Sequence, residues 1–142
     1  MNSLNLHLSH LNHNYSQIQK QLNSETQIVA VVKAGAYGSD SEAVAKRLEA
    51  LGVDYLAVAY AEEGEVLRSC GVKIPIMVFY PQVDSLKTII EKALEPCLYS
   101  RSLLMAFKGL LKLTNKTKYP IHIKYNTGLY RVGFSPEDTD WV

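Results

Sequence analysis

Lys33 ends a run of apolar residues, Ile28 to Val32, and is followed by a small-residue loop with two glycines, Gly35 and Gly38, around Tyr37. Far along the chain, Lys124, Asn126 and Arg131 fall close together. A lysine amine carried to a strand end by a rigid apolar segment can act as a nucleophile towards a carbonyl group. That chemistry needs the neutral amine, so the lysine must be desolvated or placed near other cations, lowering its pKa from about 10.4. Lys124 and Arg131 are candidates for those cations. The competing reading is a strand-end lysine that snorkels to solvent. The choice depends on whether the elements of the chain bring these residues to one place.

Composition narrows the field without deciding it. The chain has 142 residues, 47% of them hydrophobic and 20% charged, as an ordinary globular sequence would. A net charge of +1 with no basic cluster gives no electrostatic basis for binding nucleic acid or an anionic membrane. No apolar run approaches the roughly 20 residues that span a bilayer, and the first residues lack a basic segment followed by an apolar one. A cytoplasmic location is therefore expected. Cys70 and Cys97 belong to no metal-binding pattern and read as a reduced pair. His7, His10 and His13 are joined by no carboxylate or cysteine, so surface histidines are expected rather than a metal site.

The elements alternate. Leu4, Leu6 and Leu8 predict a short half-buried strand, after which Ser9 caps a helix with Leu11, Tyr15, Ile18 and Leu22 on one face. Residues 28–33 predict a strand buried on both faces. Ser39 or Asp40 then caps a helix carrying Val44, Leu48 and Leu51. Tyr55 to Tyr60 reads as the second strand. The helix from Ala61 to Cys70 turns Val66 and Leu67 inward. Ile76 to Tyr80 is the third strand, and Asp84 caps a helix holding Leu86, Ile89, Ile90 and Ala93. Glu95 to Tyr99 is a weaker fourth strand containing Pro96. Ser100 caps the longest helix, with Leu103, Leu104, Phe107, Leu110 and Leu111 on its apolar face. A fifth strand falls within Tyr119 to Asn126.

Strict β/α alternation implies a parallel sheet with right-handed crossovers, either doubly wound or part of a (β/α)8 barrel. The sequence stops soon after the fifth strand with no helix to cover it, which favours an incomplete barrel. In a parallel arrangement Lys33, Tyr60, Tyr80, Tyr99, Lys124, Asn126 and Arg131 would gather on one face, where α/β proteins place their ligands. The three tyrosines read individually as amphipathic packing residues.

The segments VVKAGAYG, DYLAVAYAEEGEVLRSCGV and KYNTGLYRVGF, in that order and spacing, resemble alanine racemase, and the likeness runs from about Leu4 to Phe134. The wording AVAYAEEG and the ending NTG-x-x-R-x-GF further resemble the racemase module that some bacteria fuse to a cell-wall ligase. The resemblance implies an α/β fold, a (β/α)8 TIM-type barrel binding pyridoxal 5'-phosphate, truncated here to about its first five βα units. Residues 1–142 would be the N-terminal part of that barrel domain, without the C-terminal β-domain of the family. The implied activity is interconversion of L-alanine and D-alanine for peptidoglycan, by an intact protein that is a cytoplasmic homodimer.

On that resemblance Lys33 matches the lysine that bonds covalently to pyridoxal phosphate. Tyr37 matches a tyrosine that contacts the cofactor phosphate. Arg131 matches an arginine that contacts the cofactor's phenolic oxygen and lies near the substrate carboxylate. Lys124 matches a lysine, carbamylated in some members, that positions the arginine. The chain departs from the family where Gly35 replaces the usual Asn, Ser39-Asp40 the usual His-Gly, and Asn126 a common Asp. Racemisation needs a base on each face of the reacting carbon. Lys33 serves one, and the family's other base comes from the β-domain, so the isolated chain is expected to be nearly inactive. An unclosed barrel would also expose an apolar sheet edge and favour self-association.

Two other readings stand beside this one. Another pyridoxal-phosphate barrel, an amino-acid decarboxylase or a non-catalytic binding homologue, also carries a lysine after its first strand; the K-x-N-T-G-x-x-R-x-G-F block argues against it. A nucleotide- or phosphate-binding domain could use AGAYGS as a cradle, but no G-x-G-x-x-G or P-loop pattern supports it.

Overall fold

The structure is a computed structural model and describes residues 3–142. Five strands, β1 (Val29–Val31), β2 (Tyr55–Val58), β3 (Ile76–Val78), β4 (Glu95–Leu98) and β5 (His122–Ile123), form one sheet in the order β1-β2-β3-β4-β5. Every neighbouring pair is parallel. A doubly wound sheet reverses its strand order at a switch point, whereas a barrel adds each strand beside the last. No reversal occurs among the described residues. The sheet is a five-strand arc of a TIM-type barrel.

The chain between strands is helical: α1 (Leu8–Gln19), the short turn α2 (Lys33–Gly38), α3 (Ser41–Ala50), α4 (Ala61–Ser69), α5 (Leu86–Glu91) and α6 (Arg101–Leu113). Val32, Leu56, Val58, Ile76, Val78 and Leu98 form one core with Leu48, Leu67, Ile89, Leu103 and Phe107 of the helices. Each of these burials contributes about 1.5–3 kcal/mol. Strand alternation then sends the intervening side chains to the inner face of the arc. Two expected caps are present: Ala43 N donates to Asp40 Oδ1 at 2.9 Å before α3, and Leu103 N to Ser100 Oγ at 3.3 Å before α6.

The end of the sheet where the strands begin is built for stability. The Arg68 guanidinium donates to the carbonyls of Val72, Ile74, Lys92 and Ala93 at 2.7–3.1 Å, tying together the entries to β3 and β4. Burial pulls its pKa down from the usual arginine value. Buried Glu95 faces His122, with Oε2 to Nε2 at 2.9 Å.

Several local expectations fail for identifiable reasons. Leu4 to Leu8 is not a strand: α1 begins at Leu8 after His7, and Leu4 is 69% exposed with no neighbouring strand to pair with. Three alternating leucines specify no register without a partner. β1 is not buried on both faces: Val29 at the edge of the arc is exposed, Ala30 and Val31 are half-buried, and only Val32, just past the strand, is buried. Val66 points outward while Leu67 is buried, since α4 presents Ala61, Gly64 and Leu67 at i, i+3 spacing to the sheet. Asp84 caps no helix; it lies inside a 3-10 turn, Val83–Ser85, and Ser85 Oγ instead accepts from Gln82 N.

Candidate active site

Lys33 stands where β1 gives way to an unusual backbone. Ala34, Gly35, Ala36 and Tyr37 are all left-handed, with φ between +50° and +63° and ψ between +39° and +53°. For L residues other than glycine this costs roughly 1–2 kcal/mol each. Side chains limited to Ala and Gly over Ala34 to Ala36 keep the steric cost at its minimum. Three bonds compensate: Ala36 N donates to Val32 O at 3.1 Å, Ser39 Oγ to Ala36 O at 2.7 Å, and Ala34 N to Glu63 Oε1 at 2.6 Å. Strain of this kind gathers at sites that must hold a side chain in one place.

Lys124 and Arg131 arrive from the far side of the arc. Lys124 follows β5, with its backbone N donating to Leu98 O at 2.9 Å. The chain then makes a narrow excursion and returns. Phe134 N donates to Lys124 O, and Asn126 N to Phe134 O, both at 2.8 Å. Asn126 Oδ1 accepts from Tyr130 N at 2.9 Å and Gly128 N at 3.3 Å, so this residue shapes the loop that carries Arg131. Phe134 is buried beside Tyr125 and Trp141, and Arg101 of α6 lies 4.8 Å over the Trp141 ring.

The two ends meet. A cleft of about 220 Å³ is lined by Lys33, Phe79, Tyr80, Cys97, Lys124 and Arg131. Lys33, Phe79, Cys97 and Lys124 alternate with the core residues Val32, Val78, Leu98 and the partly buried Ile123, which is why they share the inner face. The Arg131 guanidinium lies 5.0 Å from the centroid of the Tyr80 ring, within cation–π range. Tyr80 in turn neighbours Tyr60 and Tyr99, with centroids 6.4 and 6.5 Å away. Two lysines and an arginine, none of them in an ion pair among the described residues, thus face one cleft.

Not every expected residue lies in the cleft. Tyr37, on the left-handed turn, is 68% exposed and lines a separate apolar groove along β1 with Leu6, Leu11 and Ile18. Conversely, Tyr80 is more than packing, since it carries the guanidinium. Phe79 and Cys97 are lining residues that the sequence did not single out for the cleft. Burial pushes the Cys97 thiol pKa up, and nearby Lys124 partly offsets this.

The sequence model of the alanine racemase N-terminal domain matches residues 6–142. An alanine racemase of Sorangium cellulosum is 33% identical over 143 residues, covering 96% of this chain and 38% of that protein. Alanine racemase 1 of Caldanaerobacter subterraneus subsp. tengcongensis is 37% identical over 131 residues, covering 91% of this chain and 33% of the relative. The solved structure of alanine racemase from Clostridium difficile 630 superposes with a TM-score of 0.87 at 34% identity, over 91% of this chain and 34% of that one. The chain thus spans between 33% and 38% of the length of these relatives.

Proposed function

Because the chain belongs to the alanine racemase N-terminal domain family, we propose that residues 1–142 are the N-terminal part of a barrel that binds pyridoxal 5'-phosphate and interconverts the enantiomers of alanine. The observation that carries this reading is the meeting of Lys33, Lys124 and Arg131 in one cleft beside aromatic Phe79 and Tyr80. The donor set suits the cofactor. An aldehyde needs an amine, a planar ring needs apolar walls, and phenolate, phosphate and carboxylate groups need positive charge.

In this reading Lys33 holds the cofactor through Nζ. Arg131, steadied over Tyr80, presents its guanidinium to the cofactor's phenolic oxygen and to the substrate carboxylate. Lys124 supports the arginine. Tyr37 is assigned to the phosphate by its match to the family motif alone, since its side chain lines the groove along β1 and not the cleft. Pyridoxal phosphate, when bound, supplies an electron sink for charge developing at the amino acid's Cα. Lys33 Nζ, released when the substrate's amino group takes its place on the cofactor, would then be the base that removes or returns the proton on one face. The Phe79 and Tyr80 side chains line the cleft beside that amine.

The remainder of the reading rests on the family correspondence: a homodimeric intact protein in the cytoplasm that supplies D-alanine to peptidoglycan. Residues 1–142 by themselves carry one of two bases and are expected to racemise alanine little. The test is α-hydrogen exchange in D2O with the chain, pyridoxal phosphate and each alanine enantiomer. Lys33-dependent deuteration of one enantiomer, abolished in Lys33→Ala, supports the proposal. Equal rates with and without Lys33 would refute it.

A further inference from the structure

The β1–β2 ladder stops just short of the lysine. Its last cross-strand bond runs from Val32 N to Ala57 O at 2.8 Å. Val32 O then turns aside to accept Ala36 N, leaving the next amides of both strands without ladder partners. Glu63 takes them. Its Oε1 accepts from Ala34 N at 2.6 Å, and its Oε2 accepts from Ala59 N at 2.7 Å and Tyr60 N at 3.1 Å.

Part of this is ordinary. Glu63 is the third residue of α4, and a glutamate there commonly reaches back to the amide that precedes the helix, here Tyr60 N. Capping does not call for Ala34, which belongs to another element 29 residues earlier and directly follows Lys33. One carboxylate thus bridges the ends of two strands at the point where they diverge. Bonds to an ionised acceptor are shorter and about twice as strong as neutral ones. The bridged amide is the first of the left-handed turn, whose backbone would otherwise relax towards an ordinary conformation.

We infer that Glu63 is a positioning residue for Lys33, fixing the turn so that Nζ is held in the cleft. The inference rests on the cofactor reading for its consequence, but its geometric half stands apart from that reading. Loss of the clamp would leave the cations and aromatic walls intact. Affinity for the ligand would then stay the same while bond formation at Lys33 slows.

The experiment compares wild type, Glu63→Gln, Glu63→Ala and a control, Ser100→Ala, which removes a helix cap on α6 and leaves every bond of Glu63 in place. Amide hydrogen exchange over residues 33–38 is measured without cofactor. Capture of pyridoxal phosphate at Lys33, trapped by borohydride, is followed against cofactor concentration. Glu63→Ala is expected to speed exchange at Ala34 and lower the limiting capture rate by about tenfold or more, with half-saturation unchanged. Glu63→Gln, which keeps one carbonyl acceptor, should fall between, and Ser100→Ala should change neither quantity. If the alanine variant loses its far-ultraviolet circular dichroism, Glu63→Gln carries the comparison. Wild-type exchange and capture in the Glu63 variants, or the same losses in Ser100→Ala, would overturn the inference. A wild-type chain that captures no cofactor at Lys33 removes the cofactor reading. Exchange at Ala34 then decides the clamp: faster in Glu63→Ala upholds it, unchanged rejects it.

Discussion

Gly133 lies so close to the chain at Asn126 that a Cβ added to it would meet the Asn126 backbone nitrogen at 2.5 Å and the Tyr125 carbonyl carbon at 2.7 Å. The atoms it would meet are all backbone, so no flexible side-chain end can move out of the way, and Gly133 also has φ +138°, a conformation that side chains rarely adopt. The close approach lets Phe134 pair with Lys124 and Asn126 and so folds Arg131 back over Tyr80. Gly133→Ala is therefore expected to cost roughly 1–3 kcal/mol and to weaken binding of pyridoxal phosphate, because Arg131 loses its place. Urea unfolding and equilibrium titration check the two effects. A variant with wild-type affinity would show that the loop does not set the arginine.

Gly35 presents the opposite case. Its φ is +63°, yet a Cβ built there meets no atom within 4 Å. The restriction is in the backbone and not in space. Asparagine tolerates the left-handed region and β-branched residues do not. Gly35→Asn, which restores the residue common in the family, is expected to stay within about 0.5 kcal/mol of wild type, while Gly35→Val costs roughly 1–2 kcal/mol or more. Equal denaturation midpoints for the two variants would contradict the left-handed assignment.

Tyr119 gives a pH dependence far from the cleft. Its hydroxyl lies 2.8 Å from Leu94 O and 2.9 Å from Ile89 O, beneath α5. Burial, with Glu95 adding to it, pushes its pKa up to about 12 from 10.0. A raised folded-state value means that the folded form holds its proton longer than the unfolded form. The contribution is complete below about pH 10 and is lost as pH rises towards 12. Tyr119→Phe is expected to cost about 1 kcal/mol at neutral pH through the lost hydrogen bond and to flatten the alkaline limb of the stability curve. An alkaline limb identical to wild type would exclude Tyr119 as its source.

The convergence of Lys33, Lys124 and Arg131 was legible because parallel strands bring their C-terminal ends to one side, and the sequence marks those ends with polar residues. The strand and helix pattern by itself left a doubly wound sheet open beside the barrel; the family resemblance implied the barrel, and the strand order bears it out. The left-handed turn was hidden because Ala34 and Ala36 give no sign of positive φ; alanine is the best helix former of the ordinary hand. Glu63 was hidden for a related reason. The capping-box pattern is recognised by Ser or Thr three residues before the glutamate, and here Tyr60 stands in that place. Tyr80 read as packing because only the fold brings Arg131 over its ring.

The central claim is that Lys33 is the cofactor-bearing amine of this cleft. The most direct measurement is borohydride reduction of the chain with pyridoxal phosphate at a ratio of about one to one, followed by peptide mapping of the modified lysines. Activated amines in prearranged sites react ahead of exposed ones. The expected result is modification concentrated at Lys33, absent in Lys33→Ala and reduced in Arg131→Ala. Modification spread evenly over exposed lysines such as Lys87 and Lys108, with Lys33 unlabelled, would contradict it.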